Sequence, residues 1–156
     1  MQEKTCCFIG HRTIDATEEL KRKLTETIEK LITEEKVDTF LFGSKSEFNT
    51  LCLELVTALK EIYPIIKRIY IRAEYPVIDE NYKAYLLKFY EETYFPENLI
   101  SAGKAVYIER NLEMVDKSRF CVFYYNGNKI QENRKSGTRI ALDHAEKQNK
   151  KVLLFN

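Results

Sequence analysis

Glycine-rich phosphate loops, zinc signatures and long apolar runs are all missing from this chain, and each absence removes a class of function. With five glycines there is no G-x-G-x-x-G, no G-x-x-x-x-G-K-[ST], and H-E-x-x-H is absent too. The ordinary dinucleotide dehydrogenase, P-loop NTPase and zincin readings therefore fall. Histidine occurs twice, as His11 and His144, and no serine sits on a G-x-S-x-G turn, so a hydrolase triad has no support. Nothing in the sequence asks for a metal or a cofactor, and neither is expected. The four cysteines, Cys6, Cys7, Cys52 and Cys121, lack C-x-x-C spacing, which makes them buried free thiols rather than a disulfide or metal framework. No apolar run approaches ~18 residues and the first residues carry no signal-peptide core, so membrane spanning and export are not expected. The cytoplasm is the expected compartment. An excess of one charge is missing as well: 25 Lys plus Arg stand against 24 Asp plus Glu, a net +1. With no global field to draw in nucleic acid or anionic lipid, both are disfavoured as partners, and any anion site must be local.

What is present is an alternation of strands and helices. Thr5 to Gly10 is a short apolar strand that ends at glycine. Asp15 and Glu18 have capping-box spacing, and Leu20, Leu24, Ile28, Leu31 and Ile32 share one helical face to about Glu35. Residues 37–42 repeat the apolar strand and Gly43 ends it. Ser44 and Glu47 then read as a second capping box before a helix with Phe48, Leu51, Leu55, Leu59 and Ile62 inward, closed by Pro64. Residues 66–73 form a third strand. From 74 to 103 the pattern is less regular, broken at Pro76 and Pro96, with a tyrosine-rich helical piece over about 80–92. Residues 103–117 read as a helix with Ala105, Ile108, Leu112 and Val115 inward, and 119–125 as a central strand apolar on both faces. After a turn at 126–128 and a polar loop at 129–135, Ser136 opens a helix to about Asn149, and 151–155 is a last strand. Crossovers of this length require parallel pairing. The expected class is α/β: a Rossmann-like, mostly parallel sheet of about five strands with helices on both faces. One domain is expected over 1–156, a length at which roughly 70% of the unfolded surface is buried.

In such sheets ligands sit beyond the carboxyl ends of the strands. Three strand ends then converge: Gly10-His11-Arg12, Gly43-Ser44-Lys45, and the Ser136-Gly137-Thr138 that opens the last helix. The second and third stand at helix N-termini, whose unpaired N–H groups favour phosphate. Arg134, Lys135 and Arg139 would give the third a basic rim. Ser44 and Glu47 are equally explained as a cap, and Arg110 as a surface ion pair with Glu109 or Glu113. Asn111 suits sugar or amide recognition. Arg72 and Glu74, at the end of the third strand, fit a ribose-edge contact or an ion pair. Eight of the 10 tyrosines lie between Tyr63 and Tyr107, where they serve either packing or a base-stacking wall.

Four stretches together resemble the YpsA-like branch of the SLOG superfamily. They are Cys6-Cys7-Phe8-Ile9-Gly10-His11-Arg12; Phe42-Gly43-Ser44 with a helix ending near Pro64; Arg110-Asn111 with Met114-Val115-Asp116; and Ser136-Gly137-Thr138. That superfamily also holds the DNA-processing protein DprA, the LONELY GUY phosphoribohydrolases and nucleotide-sensing domains of bacterial defence. The resemblance implies a Rossmann-like fold that binds a nucleotide-derived small molecule related to ADP-ribose or NAD, as a sensor or regulatory protein. The LONELY GUY pattern P-G-G-x-G-T-x-x-E is not met, since Thr138 is followed by Arg139-Ile140-Ala141-Leu142 before Asp143, and Gly43-Ser44-Lys45-Ser46 has a single glycine. Binding without turnover is therefore the leading reading. N-glycosidic hydrolysis, with Glu74, Glu109 or Asp143 as acid or base, is the alternative, and single-stranded DNA binding of the DprA kind is a third, disfavoured by charge. A homodimer is the oligomer that domains of this class commonly form.

Overall fold

The computed structural model describes residues 2–127 and 136–156. The loop expected over 129–135 lies outside the described residues, and so do Arg134 and Lys135 of the expected basic rim.

Six strands, β1 (Thr5–Gly10), β2 (Thr39–Phe42), β3 (Lys67–Ile71), β4 (Glu92–Tyr94), β5 (Phe120–Tyr124) and β6 (Lys151–Phe155), hydrogen-bond into one sheet of order β4-β3-β2-β1-β5-β6. Every pairing is parallel. Five helices of the described residues link them: α1 (Glu18–Thr33), α2 (Glu47–Lys60), α3 (Glu80–Leu86), α4 (Ala105–Asp116) and α5 (Gly137–Lys147). The α/β class and the two helical faces agree with the sequence. The extra strand is β4, three residues at the sheet edge in the irregular 74–103 stretch, starting where the piece read as helical over about 80–92 was expected to end; the helix there, α3, stops at Leu86. Three residues are too few for a period-two pattern to register.

Alternation along the central strands divides the core. Cys6 and Phe8, with Phe40, Phe42 and Val122, pack against Leu24 and Ile28 of α1 and Phe48, Cys52 and Val56 of α2. Cys7 and Ile9, with Leu41, Cys121 and Phe123, pack against Met114 and Val115 of α4 and Ala141, Leu142 and Ala145 of α5. All four cysteines are free thiols with no exposed surface. Phe8 stacks on Phe40 and Phe42 with centroids 5.8 and 5.2 Å away, and each such fully buried ring contributes on the order of 2–3 kcal/mol by area.

The chain winds outward from β1 to β4, then returns through α4 to place β5 on the other side of β1. A right-handed crossover made in the opposite direction lays its helix on the opposite face, which is why α1 and α2 lie on one side and α4 and α5 on the other. Between β1 and β5 the strand order reverses, leaving a crevice above their carboxyl ends where ligands of this architecture bind.

The helix starts differ from expectation. Thr17, not Asp15, caps α1, its hydroxyl accepting from Leu20 N–H at 3.0 Å. Ser46, not Ser44, caps α2, accepting from Asn49 N–H at 3.1 Å. In both cases a second polar residue close by makes the box spacing ambiguous in sequence. Ile62 falls beyond the end of α2 and is exposed, and Cys52 and Val56 complete the inner stripe instead. In α4 the inner face is Arg110, Met114 and Val115, while Ala105 is exposed. A buried arginine rotated that stripe away from the expected one.

Candidate functional site

A cavity of about 530 Å³ opens over the β1–β5 crevice, within the size range of small-molecule sites. All twelve residues singled out in the sequence line it: Gly10, His11 and Arg12 after β1, Gly43 and Ser44 after β2, Arg72 and Glu74 after β3, Arg110 and Asn111 of α4, and Ser136, Gly137 and Thr138 at α5. Lys45, Tyr70, Tyr75, Tyr82 and Tyr107 line it too.

The two glycines that end strands are required by protein neighbours. A Cβ on Gly10 would lie 2.4 Å from the Phe48 ring and 2.7 Å from Phe48 Cβ. On Gly43 it would lie 2.5 Å from Arg110 Cδ and 2.7 Å from Met114 Sδ. Close backbone approach does occur at both positions, then, and what approaches is a side chain of the fold.

Arg110 is 4% exposed, and its guanidinium donates to the Gly43 carbonyl and, at 3.1 Å, to Asn111 Oδ1. The Tyr107 ring lies 5.7 Å below it. Burial pulls the guanidinium below its ordinary value while Tyr70, Tyr107 and Glu74 pull it back up, and a guanidinium so placed remains a cation. The surface pairing of Arg110 with Glu109 or Glu113 is not what the fold builds, because the residue points inward. Arg72, also buried, donates to Tyr75 O at 3.1 Å, Thr93 Oγ1 at 3.1 Å and Pro76 O at 3.4 Å. It is occupied in tying β3 to β4 and to the following turn, and Glu74 instead accepts from the Tyr107 hydroxyl. Tyr75 itself holds φ +60°, a left-handed conformation that costs a bulky residue about 1–3 kcal/mol.

His11 Nε2 accepts from Asn126 N–H at 2.9 Å, so the ring carries its proton on Nδ1 in this arrangement, with the Tyr125 ring 5.4 Å away. Arg12 is exposed, while its carbonyl accepts from Glu47 N–H at 2.8 Å. That bond and the Ser46 cap use the Glu47 and Asn49 N–H groups of α2, so its N-terminus offers an anion less than that of α5. At α5 the Ser136 hydroxyl accepts from Arg139 N–H at 3.0 Å, and among the described residues Gly137 and Thr138 N–H meet no acceptor. Of the two helix starts, α5 keeps donors for a ligand.

Asn49 was not anticipated. Its Oδ1 accepts from Gly43 N–H at 3.1 Å and its Nδ2 donates to Phe8 O at 2.9 Å, so one buried amide ties the ends of β1 and β2 together. The signal lay in the pattern 49, 52, 56, 59, which puts a polar residue on the apolar stripe of α2. Of the carboxylates considered for acid–base work, Glu109 accepts from Ser101 N–H and Asp143 pairs with Arg139 at 3.0 Å; neither lines the cavity, and Glu74 does.

No family model matches the chain, and no curated protein matches its sequence. Among solved structures, DNA processing protein A from Helicobacter pylori, described with a single-stranded DNA binding mode, is similar in fold: TM-score 0.60 at 17% identity, over 98% of this chain and 65% of that one. This chain thus spans about two thirds of that protein's length, and the likeness establishes a common architecture. It also corrects the expectation that near-neutral charge sets nucleic acid aside as a partner. A protein of this fold binds single-stranded DNA. Here Arg12, Lys45, Arg72 and Arg110 line one cavity, where the net charge of the whole chain is the wrong quantity to consult. Among the described residues, no helix is long and apolar enough to cross a membrane.

Proposed function

We propose that the chain binds a nucleotide at the β1–β5 crevice, with phosphate between residues 10–12 and the start of α5, and sugar beside Arg110 and Asn111. One observation carries this reading: among the described residues, Arg12, Lys45, Arg72 and Arg110 line a cavity with a single carboxylate, Glu74, in a chain of net charge +1. A phosphate is the guest that such a cation excess and two unpaired helix N–H groups favour. Binding without turnover suits a sensor or regulatory protein of the YpsA-like kind, with ADP-ribose or NAD relatives as the ligand class. Four buried free thiols fit a reducing, cytoplasmic setting.

The likeness to DNA processing protein A favours a second reading, in which the nucleotide is a unit of a single strand. The two readings share a phosphate site and differ in what extends from it. Thermal shifts with ADP-ribose, NAD and nucleoside monophosphates, beside retention of labelled single strands at ~0.15 M salt, separate them. Stabilisation by one ligand class, lost in Arg12→Ala, is the expected result; no response to any of them sinks both readings. Hydrolysis would have to run through Glu74, and free base released from nucleotides on long incubation, abolished in Glu74→Gln, would establish it in place of simple binding.

A further inference from the structure

We infer that Tyr75 is the stacking face for a planar heterocycle, so that the cavity distinguishes a nucleotide carrying its base from a bare phosphosugar. This rests on the nucleotide reading above and adds the part of the ligand it recognises. Four tyrosines line the cavity, and three are engaged within the fold. Tyr70 packs on Tyr90 with centroids 5.1 Å apart. Tyr107 lies under the Arg110 guanidinium and bonds Glu74. Tyr82 stacks on Tyr85, 6.4 Å away at 14°.

Tyr75 differs from all of them. It is 58% exposed, so a ring face is left open at the cavity, and Tyr82 meets it near the perpendicular at 6.1 Å and 79°. Its backbone stands at φ +60°, where a bulky side chain is disfavoured and glycine or asparagine is usual. With more than half of its surface exposed, the side chain recovers little of that strain by burial. What holds it is Arg72, 8% exposed, whose guanidinium donates to the carbonyls of both Tyr75 and Pro76. A buried cation that pins the backbone of an exposed tyrosine in a disfavoured conformation, at the rim of a cation-rich cavity, is explained by a ligand that needs the residue there. Strain of this kind gathers at ligand clamps. Every nucleobase offers a π face, so the same contact serves a free nucleotide or one unit of a single strand.

Isothermal titration of the full chain with AMP, ribose 5-phosphate and a short oligothymidylate, in wild type, Tyr75→Ala and Tyr75→Phe, tests this. The expected result is that AMP or the oligonucleotide binds more tightly than ribose 5-phosphate. Tyr75→Ala then weakens the base-bearing ligand roughly tenfold or more, leaves ribose 5-phosphate unchanged, and Tyr75→Phe behaves as wild type. Loss confined to the oligonucleotide assigns the ring to a strand, and loss with AMP assigns it to a free nucleotide. If Tyr75→Ala binds base-bearing ligands as wild type does, or Tyr75→Phe is as weak as Tyr75→Ala, the stacking role is overturned while the phosphate reading stands. If wild type binds none of the three, the nucleotide reading fails and takes this inference with it.

Discussion

Gly10 and Gly43 end neighbouring strands, and a methyl group at each would meet a different kind of neighbour. At Gly10 the obstacle includes Phe48 Cβ, which is anchored to the backbone of α2. Gly10→Ala should therefore lower stability by about 1–3 kcal/mol, as overpacking in a rigid core does, measured by urea midpoint. At Gly43 the obstacles are the flexible Arg110 and Met114 side chains. Gly43→Ala should cost less in stability and more in ligand affinity, because it displaces the guanidinium that lines the cavity; equal losses in stability at the two glycines would contradict this account. Asn49→Leu keeps the apolar stripe and deletes the amide, leaving Gly43 N–H and Phe8 O without their partner. A loss of about 2–4 kcal/mol is expected from two buried groups so orphaned.

At the scale of elements, the helix starts and the short edge strand are the points of doubt in sequence and the easiest to test. Thr17→Ala should destabilise by about 1 kcal/mol and Asp15→Ala by much less, since Thr17 caps α1. The reverse order would reinstate Asp15 as the cap. The edge strand β4 is held by Arg68, whose guanidinium forks onto Glu91 at 3.0 and 2.7 Å. Desolvation pushes the Glu91 carboxyl up, but the hydrogen bonds and charge of Arg68 outweigh it and hold the group below its ordinary range. A carboxyl lowered in the folded state stabilises fully above its unfolded value, and that stability is lost as pH falls through the lowered one. Glu91→Gln should therefore be less stable at neutral pH and show a flatter decline in acid, read from urea midpoints across a pH series.

Over the whole molecule, the parallel sheet covers its chemistry from solvent except at one edge. Cys6, Cys7, Cys52 and Cys121 have no exposed surface, and burial pushes the Cys6 and Cys52 thiols well up. All four should react with an aromatic disulfide reagent at the rate of unfolding; any thiol labelled faster in native buffer would show a local opening. The candidate site residues, by contrast, gather where the strand order reverses. Charge follows the same division: nearly balanced over the chain, it is one-sided in the cavity.

Much of this was legible beforehand. Apolar runs closed by Gly10 and Gly43, and the stripe from Leu20 to Ile32, identify strands and helix because side-chain periodicity is a local property of the chain. The alternation of those elements dictates parallel pairing, and parallel pairing places the residues after each strand on one edge. That is why twelve residues chosen by position all line one cavity. What periodicity cannot contain is which side chain turns inward against its type. Arg110 read as a ligand contact or a surface ion pair, Arg72 as a ribose-edge contact or an ion pair, and Tyr75 as one tyrosine among many, while Asn49 was not singled out. Their partners lie from one to 67 residues away, and only the packed sheet brings the Gly43 carbonyl to Arg110 or the ends of β1 and β2 to Asn49. The sequence by itself determined the architecture and the edge on which a ligand would sit. The tertiary structure decided which polar groups there are committed to the fold and which face the cavity, because burial and hydrogen-bond satisfaction are settled between elements and not along them.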